Sequence, residues 1–173
     1  MSAEELLNQG IELHTQGRLH EALQQYDRTI AAAQDEVRWQ VLTYYYRGMV
    51  HYRWQQYEQA IADFSVIVDR HDEVAADVVI QALLMRAECY GAREEYAAAV
   101  ADYTAMLSDP AALPAPLLTD TLLFRGGAYE RLEEYDLAIK DLQAFLNRGD
   151  LGSAELERAQ DLLEKCEQNR QGQ

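Results

Sequence analysis

Residues 44–64, YYYRGMVHYRWQQYEQAIADF, decide how this chain is read. Apolar side chains recur at helical spacing on both sides of a short connection at Gln55 and Gln56. Two helices joined by so short a turn form an antiparallel hairpin. In that hairpin Gly48 and Ala60 fall at one level, with His51 and Tyr57 on one side and Tyr44 and Phe64 on the other. Two small residues thus face each other between larger ones, and their backbones can approach closely. The pattern returns along the chain. Gly10, Gly48, Ala87 and Gly126 precede Ala22, Ala60, Ala99 and Ala138 by one constant interval. The larger neighbours recur with them: Leu6, Leu13, Leu19 and Tyr26; Leu83, Tyr90, Tyr96 and Tyr103; Leu122, Tyr129, Tyr135 and Leu142. The alanines themselves return about every 39 residues, and a fixed period of this length marks a stacked array of repeats.

The phrases YRGMVHYRWQQYEQAIADF and FRGGAYERLEEYDLAIKDL carry these small and aromatic residues, and they resemble the tetratricopeptide repeat family over about residues 3–149. The spacing is longer than the family's usual ~34 residues, and no proline closes the second helix in the usual slot, although Pro110 lies near it in the third copy. The extra residues fall between copies. Two such stretches read as an added turn on the next helix, with Asp35 and Asp72 as caps. The third holds Pro110, Pro114 and Pro116 and reads as a loop that restarts a helix near Pro116. The resemblance implies an all-α, right-handed helical-repeat solenoid of four antiparallel helix pairs, at 3–34, 36–70, 73–109 and 115–149. A C-terminal capping helix at 153–170 completes what is expected to be a single domain. Ser2 and Glu5 have capping-box spacing, and after Gly149 and Gly152, Ser153 is placed to cap the last helix. Leu156, Ala159, Leu162, Leu163 and Cys166 share one face of it, suited to covering the fourth pair.

Copies two to four carry Arg47, Arg86 and Arg125 directly before the small residue, and Asp63, Asp102 and Asp141 at one fixed offset beyond them. The first copy has Gln9 and Gln25 in those places. The two residue types appear and vanish together, so three Arg–Asp pairs within repeats are predicted, with structural rather than catalytic roles.

The net charge of -15 is spread over the whole chain, three or four excess acids in each quarter. No basic stripe exists to displace counterions from phosphates, so nucleic acid is not an expected partner. No apolar run is long enough to span a bilayer. The opening MSAEELLNQG lacks a basic and apolar leader, so no secretory signal is expected. Cys89 and Cys166 read as buried free thiols, which suits a cytoplasmic protein. No phosphate loop, dinucleotide fingerprint, nucleophile elbow or zinc-protease motif is present, and His14, His20, His51 and His71 form no ligand set. The reading is therefore of a protein without enzymatic activity, cofactor or metal.

In the family that the sequence resembles, the first helix of each repeat lines a concave groove. Carried over position by position, that groove comprises Leu7, Asn8, Ile11, His14 and Thr15; Leu42, Tyr45, Tyr46, Met49, Tyr52 and Arg53; and Gln81, Leu84, Met85 and Glu88. The fourth copy adds Asp120, Leu123, Phe124, Gly127, Glu130 and Arg131. Family members that grip acidic chaperone tails use lysine, asparagine and arginine at set groove positions. Here those positions hold Leu7, Ile11, Tyr46, Gln81 and Met85, or, one repeat later, Tyr45, Met49, Met85, Asp120 and Phe124, so that clamp is missing. An aromatic, methionine-bearing wall with an acidic margin suits a protein or peptide partner, such as a helix with an apolar face and basic flanks. The implied function is a non-catalytic interaction scaffold or adaptor. The alternatives are a self-associating structural module, hence a homo-oligomer, and a dedicated assembly or secretion chaperone.

Overall fold

The computed structural model describes residues 1–148 and 152–172. Among them the chain is helical throughout and no strand occurs. It divides into two compact units, residues 1–93 and 94–173. The first contains α1 (Ala3–Thr15), α2 (Leu19–Ala32), α3 (Val37–Arg53), α4 (Tyr57–Asp69) and α5 (Ala76–Ala92). The second contains α6 (Tyr96–Met106), α7 (Ala115–Arg131), α8 (Tyr135–Leu146) and α9 (Ser153–Gln171). The sequence reading treats the chain as one domain. The border between the units falls inside the third expected repeat, as repeats that pack only on their neighbours allow. Gly149, the expected end of the fourth repeat, lies outside the described residues.

Within the first unit each helix packs on the next, and α1 also reaches α3. Within the second, α6 packs on α7, α7 on α8 and α8 on α9, and α9 also reaches α7. Ala22, Ala60, Ala99 and Ala138 are all buried, at 1% exposure or less. The glycines matched to Ala22, Ala60 and Ala138 are Gly10, Gly48 and Gly126, and none of them is covered by its alanine alone. The group lying on each glycine is the large side chain one turn beyond the alanine. A methyl carbon on Gly10 would lie 2.5 Å from the Tyr26 ring, and one on Gly48 would lie 2.9 Å from the Phe64 ring. On Gly126 it would lie 3.1 Å from Leu142 Cγ. Tyr26, Phe64 and Leu142 are completely buried, each contributing about 1.5–3 kcal/mol of hydrophobic stabilisation. The missing Cβ is the space those side chains occupy.

The hairpin turns repeat in backbone conformation as well. Gly17, Gln55, Glu94 and Glu133 all have φ between 59° and 77°, a left-handed conformation that costs a non-glycine residue about 1–2 kcal/mol. The following amide turns back to close the helix: Arg18 N donates to Leu13 O, Gln56 N to His51 O and Glu134 N to Tyr129 O, each at 2.9 Å. This satisfies carbonyls that the helix end leaves open.

The inserted residues lengthen the first helices. α3, α5 and α7 have 17 residues each against 13 in α1. Asp35 and Asp72 do not cap them. Glu36 and Ala75 hold the N-cap positions of α3 and α5 without a side-chain bond, and residues 71–73 form a single 3-10 turn. Ser153 likewise is the first residue of α9 and not its cap; Gly152 is the cap, and its amide donates to Glu155 Oε2 at 3.3 Å. The Ser2–Glu5 capping box does form, with bonds of 2.8 and 3.2 Å.

Two consequences are measurable by urea denaturation. Gly10→Ala forces a methyl into the fixed Tyr26 ring and should cost about 1–3 kcal/mol, more than its gain in helix propensity. Gly127→Ala meets only Leu162, at 3.7 Å, and should stabilise by about 0.5–1 kcal/mol. Separately, Glu133→Gly relieves the left-handed strain and should raise stability by about 0.5–1 kcal/mol, the net of strain lost and chain entropy added.

Candidate partner-binding surface

The first helices are held by arginines that reach in two directions. Arg47 Nε and Nη2 donate to the two Asp63 carboxylate oxygens at 3.0 and 2.6 Å, while Nη1 donates to Asp27 at 2.7 Å. Arg125 engages Asp141 in the same fork at 2.7 and 2.8 Å, and its Nη1 donates to Thr104 Oγ1 at 3.1 Å. Asp63 and Asp141 are both 3% exposed. Burial opposes the Arg47 charge, but the carboxylates of Asp63 and Asp27 outweigh it and hold the guanidinium above its ordinary pKa. Arg86 and Asp102 belong to different units. Arg86 Nη1 donates to Ser65 Oγ at 2.9 Å, and Asp102 is 4% exposed. In the first copy Gln25 Nε2 donates to Gln9 Oε1 at 2.9 Å, a neutral bond in the place of the ion pair.

The second contact of each arginine went unread in the sequence. Asp27, Ser65 and Thr104 recur at the repeat period, on the second helix of the preceding copy. Their side chains differ but all accept a hydrogen bond, and that shared property with their period was the available signal. Each arginine thus ties its own first helix to the helix before it, which orients the surface that the first helices present.

That surface differs from the wall expected of the sequence. Leu7, Met85 and Leu123 are buried, at 1%, 9% and 5% exposure. Leu7 belongs to a core cluster with Val50 of α3, against which Leu42 and Tyr46 pack; Met85 belongs to one with Val41 of α3 and Phe64 of α4; Leu123 belongs to one with Ala159 and Cys166 of α9. Side chains on the flank of one first helix are covered by its neighbour, so these three belong to the core. Glu130 is also covered: it is 8% exposed and paired with Lys165 of α9 at 2.6 Å. Asn8, Gln81 and Arg53 are exposed, whereas Ile11, Leu42, Tyr45, Tyr46, Met49, Tyr52, Leu84, Glu88 and Phe124 are partly buried.

Within the first unit an open cleft of about 290 Å³ lies between α3 and α5, lined by Leu42, Tyr45, Tyr46, Asp77, Val78 and Gln81. Asp77 and Val78 lie on the helical turn that the long repeat adds to α5, outside the positions carried over from the family. The Tyr45 and Tyr46 rings meet edge to face, 5.8 Å apart. Tyr45 rests on Phe64 and Tyr46 stacks on Tyr26, so both rings are held from beneath. Burial, and then the neighbouring Tyr46 phenol, push the Tyr45 hydroxyl above its ordinary pKa. Further along, the Tyr52 hydroxyl donates to Glu88 Oε2 at 2.8 Å; burial and this carboxylate push it up to about 12. At the α1 end His14 lies 3.3 Å from the Tyr26 hydroxyl, and burial, then the Arg53 charge, lower its pKa. In the second unit Phe124 packs on Tyr103 with ring centres 6.2 Å apart. Among the described residues no group of three His, Cys, Asp or Glu is placed to hold a metal ion, and no helix is long and apolar enough to cross a membrane.

Solved structures match this arrangement over nearly the whole chain. A tetratricopeptide repeat protein from Parabacteroides merdae superposes with a TM-score of 0.80 at 21% identity, over 96% of this chain and 60% of its own. The fold is that of a tetratricopeptide repeat protein. This chain spans about three fifths of that relative's length. BtubC (BKLC) from P. vanneervenii matches with a TM-score of 0.74 at 15% identity, covering 96% of this chain and 72% of that one. MamA from Desulfovibrio magneticus RS-1, residues 41 to the end, matches at 0.71 and 14% identity, covering 99% and 96%. No protein-family model matches the sequence, and no curated protein sequence does. The tetratricopeptide fold is thus carried by structure at low identity, consistent with a period stretched beyond ~34 residues.

The arginine ties make a graded prediction. Arg47→Ala leaves the buried Asp63 carboxylate without its fork and should cost roughly 3 kcal/mol, the low end for stranding a buried charge because Arg47 itself keeps an edge in water. Gln9→Ala removes only a neutral bond and should cost about 1 kcal/mol or less. Equal losses in urea melts would show that the forked pairs add nothing beyond packing.

Proposed function

We propose that this protein is a non-catalytic adaptor that holds a segment of another protein against the first-helix surface of residues 1–93. The observation that supports this reading is the cleft between α3 and α5, where Leu42, Tyr45, Tyr46 and Val78 offer apolar surface beside Asp77 and Gln81. Rigid aromatic rings beside exposed polar groups are the usual make-up of binding hot spots. The tyrosines are fixed by Phe64 and Tyr26 before any partner arrives, so little side-chain freedom remains to be lost on binding. A second cleft of about 240 Å³, around Gln9, Glu12, Gln16 and Arg18, is less suited. Its polar groups already bond one another through Gln9–Gln25, Gln16–Glu12 and Arg18–Gln16.

Self-association is the weaker alternative. The outward residues of α9, among them Glu157, Arg158, Asp161 and Glu164, are charged and exposed, a polar face of the kind that ends repeat arrays. Cys89 and Cys166 are buried free thiols, which suits the reducing cytoplasm.

The test is affinity capture with the double variant Leu42→Asp, Gln81→Lys beside the unaltered protein, after checking that both melt alike and elute alike on gel filtration. Proteins held by the unaltered chain should be lost from the variant. Retention of the same set by both would place binding elsewhere, and elution of the unaltered chain as an oligomer would favour self-association.

A further inference from the structure

Several acids of the first unit are exposed and unpaired, among them Glu4, Asp35, Asp69 and Glu73, but Asp77 is the one that lines the cleft between α3 and α5. Asp63 and Asp27 are taken by Arg47, Glu58 by Arg93, and Glu88 by the Tyr52 hydroxyl. Asp77 is exposed, and among the described residues its carboxylate has neither an ion pair nor a hydrogen bond. Its position in the first turn of α5 suits the helix dipole, but that preference does not account for the tyrosines it overlooks. The same cleft presents Tyr45 and Tyr46, whose rings stand at 80° to one another.

A carboxylate beside two phenol rings is a complementary site for a cation. The ring faces attract positive charge, and the carboxylate accepts its hydrogen bonds. The protein uses this pairing internally: the Arg47 guanidinium lies 5.2 Å from the Tyr44 ring centre while forked to Asp63, and Arg125 lies 5.7 Å from Tyr129 while forked to Asp141. The cleft between α3 and α5 offers the same two partners, and among the described residues no arginine lines it. Its volume of about 290 Å³ suits one long side chain rather than a folded domain. The guanidinium, planar and weakly hydrated, stacks on tyrosine better than a lysine ammonium does. The overall charge of -15 draws cationic segments toward the surface.

We propose that the cleft lined by Tyr45, Tyr46 and Asp77 is a subsite for an arginine side chain of the bound segment, with apolar neighbours of that arginine resting on Leu42 and Val78. The proposal rests on the adaptor reading and fixes the chemistry of its partner.

The probes are two blocked pentapeptides with leucines flanking a central arginine or its neutral isostere citrulline. Binding is followed on the intact protein through the methyl signals of Leu42 and Val78. The arginine peptide should shift both signals and bind about tenfold more tightly than the citrulline peptide, and rising salt should erase the difference. Asp77→Asn, at an exposed position, should lower the melting temperature only slightly, through its lost place at the helix N-terminus, weaken the arginine peptide about tenfold and leave the citrulline peptide unaffected. Equal binding of the two peptides, indifference to Asp77→Asn, or no shift at Leu42 and Val78 would each overturn the subsite. If capture is still lost in the Leu42→Asp, Gln81→Lys variant, the adaptor reading survives that failure.

Discussion

The closeness of paired helices rests on a hydrogen atom standing where a side chain would otherwise be. Tyr26, Phe64 and Leu142 each lie on a glycine of the facing helix; the two rings leave no room for a Cβ, and Leu142 would have to shift by a few tenths of an ångström to admit one. Removing the methyl lets a whole ring or isobutyl group enter the interface, so the exchange favours burial by a wide margin. Glycine in a helix interior costs about 0.5–1 kcal/mol, against about 1.5–3 kcal/mol for the large side chain it admits. The alanine at the same level on the second helix keeps the backbones near enough for that side chain to reach across.

Once helices pair this closely, their relative rotation still needs fixing, and the arginines supply a directional contact. A guanidinium forked to Asp63 or Asp141 cannot rotate without breaking two charge-assisted bonds. Its remaining nitrogen reaches Asp27 or Thr104 on the helix before. Packing sets the distance between helices and the forked pairs set their angle. Together they hold Tyr45 and Tyr46 at a fixed attitude over Phe64 and Tyr26, where flexible contacts would leave the rings to collapse into the core.

The longer repeat changes what the surface offers. The stretched period extends α3, α5 and α7 to 17 residues each, and the added turn of α5 brings Asp77 and Val78 beside the tyrosines. The cleft therefore has a wall that a shorter repeat would lack. The acidic residue it adds, Asp77, has the sign of the chain's overall charge of -15.

The alternation of small and large residues at one spacing was enough, read from the sequence, to settle the helical hairpins and the burial of Ala22, Ala60, Ala99 and Ala138. Those properties depend on periodicity, which a sequence displays directly. The repeated Arg and Asp positions were legible for the same reason. Which groove residues stay open was decided by the tertiary structure, because that depends on how far each first helix slides over the next: Leu7, Met85 and Leu123 share the apolar character of Leu42 yet lie under neighbouring helices. The caps were likewise settled in three dimensions. Asp35 and Asp72 have the chemistry of a cap, but the helices begin one or more residues beyond them, where packing and not capping sets the start. Asp77 became visible as part of the cleft only when α5 was placed beside α3, since no spacing within a single helix relates it to Tyr45.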